Sequence, residues 1–181
     1  VGALANAEIL FREALDKAPR NAILHYDLGL VLEAAGRTRE ARGAYEAALS
    51  LDPAFAPARS AYALRLLAEG DQEGALEQWS IAEREGALGP ASLQARGAVL
   101  ASRGRIDEAI EDYRGAVRGD PGRARARAEL ALLYHRRGLR ERALEEIDRA
   151  VSFDPRACPP RVALARINAA EGRADVAERV Y

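Results

Sequence analysis

Residues 22–55 read AILHYDLGLVLEAAGRTREARGAYEAALSLDPAF, and the same 34-residue pattern recurs along the whole chain. Six glycines stand 34 residues apart, at Gly2, Gly36, Gly70, Gly104, Gly138 and Gly172. Five residues after each glycine comes an alanine, and in five cases a second alanine follows seven residues later. A large side chain stands between the two alanines, as at Tyr45, Trp79 and Tyr113. A fixed period without insertions predicts a protein built from stacked repeats.

Each repeat carries two apolar runs with helical spacing, separated by its glycine. In the repeat quoted above, Leu28 and Leu32 precede Gly36, and a second run around Tyr45 ends at Pro53. Glycine suits the left-handed position that follows a helix, and proline cannot continue one. Two helices approach closely only where side chains are small, so the alanines are expected at their contact with the large residue between them. The pattern predicts two helices per repeat.

Side chains that can cap a helix stand near the start of three of the second helices. Thr38, Asp71 and Asp107 each carry an oxygen that can accept a hydrogen bond from a free backbone N–H of the first turn. We therefore expect these three residues to be N-caps.

Composition and charge indicate a soluble protein. The formal net charge is -1 and the pI is near 6.2, which removes the general attraction to nucleic acid or anionic membranes. Arginines are dense between residues 118 and 142, but a single aromatic residue, Tyr134, stands among them to stack bases, so we expect no nucleic-acid partner. No apolar run is long enough to span a membrane, and we expect no direct membrane insertion. Cytoplasm and periplasm both remain open as the compartment.

No group of residues indicates catalysis. His25 and His135 lie more than three repeats apart and cannot share a metal or a base–nucleophile pair. The single cysteine, Cys158, has no partner at ligand spacing and is expected to be a small packed residue. Glu145 and Arg149 are spaced for a stabilising contact on one helix. We predict that the chain is not an enzyme, with no catalytic residues, no metal site and no cofactor.

These residues resemble the tetratricopeptide repeat, which has small residues at its eighth, twentieth and twenty-seventh places and proline at its thirty-second. Gly29, Ala41, Ala48 and Pro53 occupy these places in the quoted repeat. The resemblance implies an all-α fold, a right-handed superhelical solenoid of antiparallel helix pairs forming a single array over residues 1–181. The array divides into a half repeat at 1–21, full repeats at 22–55, 56–89, 90–123 and 124–157, and an incomplete repeat at 158–181. Because both ends fall inside a repeat, we expect a piece of a longer protein.

Two features depart from the family pattern. The residues Gly86-Ala87-Leu88-Gly89 stand where Asp-Pro is expected at the end of a repeat. The usual tryptophan at the fourth place is replaced throughout, by His25, Arg59, Leu93, Arg127 and Arg161.

By resemblance, arrays of this family are protein-interaction scaffolds whose first helices line a concave groove for a partner peptide or helix. Side chains at the second, fifth, ninth, twelfth and thirteenth places would face the groove. From these places we predict the partner-binding residues Tyr26, Leu30, Leu64, Leu67, Gln94, Arg125, Leu132, His135, Arg136 and Arg166. The leucines would hold an apolar part of the partner and the arginines its carboxylates, so the predicted partner is a protein or peptide that is partly apolar and partly acidic. The alternative is that the leucines only pack within the solenoid and the arginines are only solvated.

Two familiar ligand classes do not match these places. Family members that clamp a C-terminal carboxylate carry lysine at the fifth place and asparagine at the ninth, where this chain has Tyr26 and Leu30. The sugar-transferase members carry asparagine at the sixth place, where this chain has Asp27.

Three hypotheses follow for function. The first is a non-catalytic adaptor in a bacterial envelope, pilus or polysaccharide-export assembly. Its bacterial placing comes from family analogy and from the many arginines and alanines beside a single lysine, Lys17, which indicate a gene of high G+C content. The second is the regulatory or substrate-recruiting arm of a larger enzyme. The third is self-association through apolar faces around Phe11 or Tyr181.

Overall fold

The computed structural model describes residues 2–86 and 88–173, and every regular element within them is an α-helix. The chain forms two compact halves, an N-terminal half of residues 1–88 and a C-terminal half of residues 89–181. The N-terminal half contains α1 (Gly2–Lys17), α2 (Ala22–Ala34), α3 (Thr38–Leu51), α4 (Ala56–Ala68) and α5 (Gln72–Glu85). The C-terminal half contains α6 (Pro90–Ser102), α7 (Ile106–Gly119), α8 (Ala124–Arg136), α9 (Arg140–Phe153) and α10 (Cys158–Ala170).

The helices keep the period of the sequence. The first helices of the repeats, α2, α4, α6, α8 and α10, each have 13 residues and begin 34 residues apart. The second helices, α3, α5, α7 and α9, each have 14 residues. Each first helix that has a described second helix packs most extensively on it. The predicted all-α helical-repeat solenoid, with two helices per repeat, is confirmed.

Glycine ends each first helix in a left-handed conformation, as predicted. At the end of α2, Gly36 has φ of 77° and donates its N–H to the carbonyl of Glu33 at 2.9 Å. The N–H of Arg37 then reaches back to the carbonyl of Leu32, also at 2.9 Å. This pair of bonds satisfies carbonyls that the helix itself leaves free. The same arrangement follows α4, α6, α8 and α10.

Only one of the three predicted N-caps is present. The Asp71 carboxylate caps α5 by accepting the N–H of Gly74 at 2.9 Å. The prediction is wrong for Thr38, the first residue of α3, and for Asp107, the second residue of α7. The capping position is the residue directly after the glycine, because the turn fixes where the next helix begins. That residue is an arginine in both cases and makes no side-chain cap.

The alanine columns form the contacts between helices, as predicted. All eight column alanines of α3, α5, α7 and α9 are fully buried. The large residues between them are also buried, with Tyr45 and Trp79 at 0% exposure. Small residues on the first helix make room for these rings. A Cβ on Gly29 would lie only 2.4 Å from Cε1 of Tyr45, so the helix backbone rests directly on the ring.

A polar side chain at the fourth place ties four repeats to the turn that precedes them. We call this contact the proline clip, because each acceptor is the carbonyl oxygen of a proline six residues earlier. The pairs are His25 Nε2 with Pro19 at 2.9 Å, Arg59 Nη2 with Pro53, Arg127 Nε with Pro121 at 2.9 Å, and Arg161 Nη2 with Pro155 at 2.9 Å. The remaining repeat has Leu93 at this place and no proline six residues before it. In these four repeats the replacement of tryptophan therefore has a structural reason, since the new side chain donates a hydrogen bond to a carbonyl at the end of the preceding repeat.

Three further expectations concern single residues. Cys158 is exposed at the start of α10, so the prediction of a packed cysteine is wrong. Phe11 on α1 is half-buried against the core of α2 and α3, whereas its neighbour Leu10 is 64% exposed. Tyr181 lies outside the described residues. No described helix combines the length and apolar character needed to cross a membrane.

Candidate functional site

The first helices keep one side open. In α2, Leu28 and Leu32 are buried, whereas Ile23 and Leu30 are 57% and 42% exposed. Residues three or four apart share one side of a helix, so the second, fifth, ninth and thirteenth places of a repeat point the same way. We call this side of the first helices the first-helix face. It carries the residues that the sequence predicts to bind a partner.

Tyr26 lies within the first-helix face of the N-terminal half, and its ring is held by other aromatic residues. Its centroid lies 6.1 Å from that of Tyr45 and 5.4 Å from that of Phe55, the latter in an edge-on arrangement. Burial, followed by the charge of Asp27, raises the pKa of the Tyr26 hydroxyl. These contacts fix the ring, so Tyr26 offers a rigid, partly open aromatic surface.

Leu30, Leu64 and Leu67 form the rest of what we call the apolar patch, together with Tyr26. Leu30 on α2 is 42% exposed, while Leu64 and Leu67 on α4 are half-buried. The two α4 leucines therefore contribute to packing and still present part of their surface. Leu30 is the member of the patch that is most available to another molecule.

An acidic group stands beside the apolar patch. Glu33 on α2 accepts a hydrogen bond from the Tyr45 hydroxyl at 2.8 Å and lies 3.6 Å from Nη1 of Arg65. Burial of Tyr45 and this bond to the neighbouring carboxylate raise the pKa of Tyr45 far above its ordinary range. The carboxylate of Glu33 is therefore already paired within the chain, with Tyr45 and Arg65.

Three arginines mark the first-helix face of the C-terminal half. Arg125 and Arg136 lie on α8 and Arg166 lies on α10, and all three are exposed. None of them forms an ion pair with the part of the chain that the structure describes. By contrast, nearby Arg123 lies 3.1 Å from a carboxylate oxygen of Asp120. We call Arg125, Arg136 and Arg166 the arginine patch. Their guanidinium groups are open to carboxylates from another molecule.

The other predicted residues of this half are more engaged internally. The Gln94 carbonyl accepts a hydrogen bond from Arg123 at 3.3 Å, and Leu132 is half-buried. His135 Nδ1 lies 3.7 Å from a carboxylate oxygen of Glu171, which also accepts a hydrogen bond from Arg140 at 2.9 Å. Gln94 and His135 would have to exchange these contacts to bind a partner.

Sequence reasoning missed a set of polar pairs between first and second helices. Each joins an arginine of a first helix to the side chain at the twenty-third place of the same repeat. The pairs are Arg59 with Gln78 at 2.8 Å, Arg96 with Asp112 at 2.7 Å, and Arg127 with Glu146 at 2.6 Å. The sequence does contain a sign of these pairs. The twenty-third place is Ala44 in the first full repeat but a polar residue in the other three, and a polar group buried at a helix contact needs a partner.

A metal centre is not assembled by the described residues. Within residues 2–86 and 88–173, no three His, Cys, Asp or Glu side chains come close enough to hold one ion.

Family comparison agrees with the repeat geometry. Three family models of the tetratricopeptide repeat match residues 22–55, 61–124 and 100–167. The chain belongs to the tetratricopeptide repeat family. Tetratricopeptide repeat proteins are generally non-catalytic scaffolds for protein–protein interaction, and this is the class of protein that the fold indicates.

Among curated proteins, the chain is similar to the TPR repeat-containing thioredoxin TTL4 of Arabidopsis thaliana, with 40% identity over 82 residues. The match includes 45% of this chain and only 11% of that protein, so the chain spans about a tenth of its relative's length.

Solved structures share the fold at low sequence identity. YrrB, described as a TPR protein with an unusual peptide-binding site, has a TM-score of 0.79 at 19% identity, covering 94% of this chain and 88% of its own. Pseudomonas aeruginosa pilF also has a TM-score of 0.79 at 19% identity, covering 99% and 82%. A MamA structure from Desulfovibrio magneticus RS-1 has a TM-score of 0.73 at 19% identity, covering 88% and 90%.

Proposed function

We propose that this tetratricopeptide repeat chain is a non-catalytic adaptor that holds a segment of a partner protein on its first-helix face. The observation that carries the proposal is the chemistry left open on that face. The apolar patch presents Leu30 at 42% exposure, and the arginine patch presents three exposed guanidinium groups without ion pairs among the described residues. Apolar residues of the partner would complement the first patch, and its acidic residues would complement the second.

The proposed setting is a bacterial multiprotein assembly, such as an envelope, pilus or polysaccharide-export machine. This part of the proposal is supported by the arginine-rich, lysine-poor composition and by analogy within the family.

The test uses a partner recovered by pull-down from the native organism and then purified. Its affinity is measured for the unchanged chain and for Leu30→Glu, which places a charge in the apolar patch. We expect a loss of about tenfold or more, because a desolvated carboxylate opposes apolar contact. Leu64→Glu should also weaken binding, although Leu64 is half-buried, so its helicity must be compared by circular dichroism.

The matched control is Ile9→Glu, since Ile9 is an exposed aliphatic residue of the same half but lies on α1, which is not one of the first helices. It should leave the affinity unchanged. The double variant Arg125→Glu and Arg136→Glu should weaken binding mainly at low salt, because exposed charge contacts are screened by ions. Unaltered affinity in both Leu30→Glu and the double arginine variant would rule out the first-helix face as the binding site.

A second candidate function is the substrate-recruiting or regulatory arm of a larger enzyme. It is favoured by one observation, the similarity to a thioredoxin that contains the same repeats. The full-length reading frame tests it, since a catalytic domain encoded in frame would support the arm and contradict the pure adaptor. A frame without such a domain would contradict the arm.

A further inference from the structure

A cleft lies between the second helices α7 and α9 of the C-terminal half, with α8 as its floor. It encloses about 550 Å³, and its floor is formed by the buried residues Arg127, Leu130 and Tyr134. An adjoining cleft of about 380 Å³ shares Arg114, Tyr134 and Arg142 with it. We call these two adjoining spaces together the second-helix cleft. Their volumes fall within the range of pockets that hold ligands.

The second-helix cleft and the arginine patch use different sides of α8. The floor residues follow one another at three- and four-residue spacing, from Arg127 to Tyr134. Arg125 and Arg136 of the arginine patch are turned by roughly half a circle from them, because the helix has about 3.6 residues per turn. A molecule bound in the cleft would therefore leave the first-helix face free.

The larger space is strongly basic in a chain whose net charge is only -1. Five arginines and two glutamates line it, namely Arg114, Arg118, Arg127, Arg142, Arg149, Glu145 and Glu146. The two oxygens of Glu146 are already held, one by Arg127 and one by Arg149, each at 2.6 Å. The acid at the base of the cleft is thus neutralised from within.

Two arginines in the cleft remain open. Arg118 on α7 and Arg142 on α9 are exposed, and neither forms an ion pair with any residue in the described ranges. Arg114 on α7 also lines the cleft, and within the described residues it pairs only with its exposed helix neighbour Glu111, at 2.7 Å. A contact of this kind between exposed side chains is weak and readily exchanged. Both walls of the cleft can therefore offer a guanidinium group to an incoming anion.

We propose that the second-helix cleft binds an acidic segment of a protein, with Arg118 and Arg142 holding carboxylates from opposite walls. Charge complementarity is the argument, because planar guanidinium groups pair well with carboxylates. The two glutamates of the larger space are already paired, Glu146 as described and Glu145 with Arg149 at 3.4 Å. A protein segment fits better than single-stranded nucleic acid, since the one aromatic ring in the lining, Tyr134, is 8% exposed and gives bases no surface on which to stack.

The experiment measures binding of a fluorescent peptide rich in Asp and Glu by anisotropy, with the Asn and Gln version of the same peptide as the uncharged probe. The test variant is Arg118→Glu with Arg142→Glu. Both side chains are exposed, so the variant should fold, and circular dichroism is used to check that its helicity is unchanged. We expect the acidic peptide to bind about tenfold or more weakly to this variant at roughly 50 mM salt, and the uncharged peptide to bind neither protein.

The matched control is Arg39→Glu with Arg84→Glu, which makes the same change of charge at two exposed arginines that belong neither to the cleft nor to the arginine patch. It should bind the acidic peptide within about twofold of the unchanged protein, since it leaves the cleft intact. On adding peptide, the amide resonances of Val117 and Arg118, which line the cleft from α7, should shift. An equal loss in the cleft variant and the control, or no loss in the cleft variant, would overturn the proposal. Arg125→Glu with Arg136→Glu is measured alongside: a loss in that variant with none in the cleft variant would support the first-helix face and overturn the cleft, so the two proposals fail separately.

Discussion

Replacing Gly29 with alanine should destabilise the N-terminal half, although the same change stabilises most helices. Alanine favours a helix interior over glycine by about 0.8–1.0 kcal/mol. At Gly29, however, the new Cβ would lie 2.4 Å from Cε1 and 2.7 Å from Cδ1 of Tyr45. That ring is fully buried and its hydroxyl is bonded to Glu33, so it cannot move away freely. Overpacking of this kind costs about 1–3 kcal/mol, which leaves a net loss of roughly 0–2 kcal/mol.

Gly43 provides the matched control, because it also lies inside a helix of the same half. A Cβ at Gly43 meets no atom within 4 Å, so Gly43→Ala should be stabilising by about 0.8–1.0 kcal/mol. The difference between the two variants then isolates the clash with Tyr45, at about 1–3 kcal/mol. Gly97→Ala should fall between them, because its Cβ would lie 3.2 Å from the ring of Tyr113.

The assay is urea unfolding followed by far-ultraviolet circular dichroism, with the free energy of unfolding extrapolated to water for each variant. Gly29→Ala should have the lowest midpoint of the three and Gly43→Ala the highest. If Gly29→Ala were as stable as Gly43→Ala, the close contact between the α2 backbone and Tyr45 would not exist as described, and the reasoning would fail.

Two further predictions concern a cap and a buried hydroxyl. Asp71→Ala should lower the free energy of unfolding by about 0.5–2 kcal/mol through loss of the α5 cap, whereas Thr38→Ala should cost almost nothing; equal losses in chemical unfolding would contradict the assigned caps. Burial raises the pKa of Tyr113, so its stabilising effect is complete below the unfolded value of about 10 and is lost as the pH rises above it. Unfolding measured between about pH 8 and 11 should therefore show a less steep decline for Tyr113→Phe than for the unchanged chain, and identical slopes would show that this hydroxyl does not contribute.

The architecture could be predicted because its causes are local and repeated. Gly36 and its counterparts predict a left-handed turn at the end of each first helix. The alanines at fixed distances from these glycines predict close contacts between helices. These signals lie within a few residues of one another, so no knowledge of distant contacts is needed. The cap at Asp71 was predicted for the same reason. The wrong caps at Thr38 and Asp107 show the limit, because the geometry of the turn, and not the residue type, selects the capping position.

The surfaces were harder to predict, because exposure depends on neighbours that are distant in sequence. Leu30 and Leu64 occupy the same place in successive repeats, yet Leu30 is exposed and Leu64 is half-buried. The bond between Arg127 and Glu146 spans 19 residues and joins two helices, so neither residue alone predicts it. The second-helix cleft combines three helices, and its open arginines, including Arg118, stand out only when the ion pairs around them are known.

The proline clip also bears on how such a chain can grow by duplication. Its donor is a side chain, whereas its acceptor is a main-chain carbonyl, a group that every residue supplies. A copied repeat therefore carries a donor that fits the turn of whichever repeat comes before it, and histidine and arginine are already interchangeable there. This bond should therefore be kept when repeats of this type are reordered or inserted in an engineered array. A copy that begins like residues 90–123, with Leu93 at the fourth place, would join its neighbour without this bond.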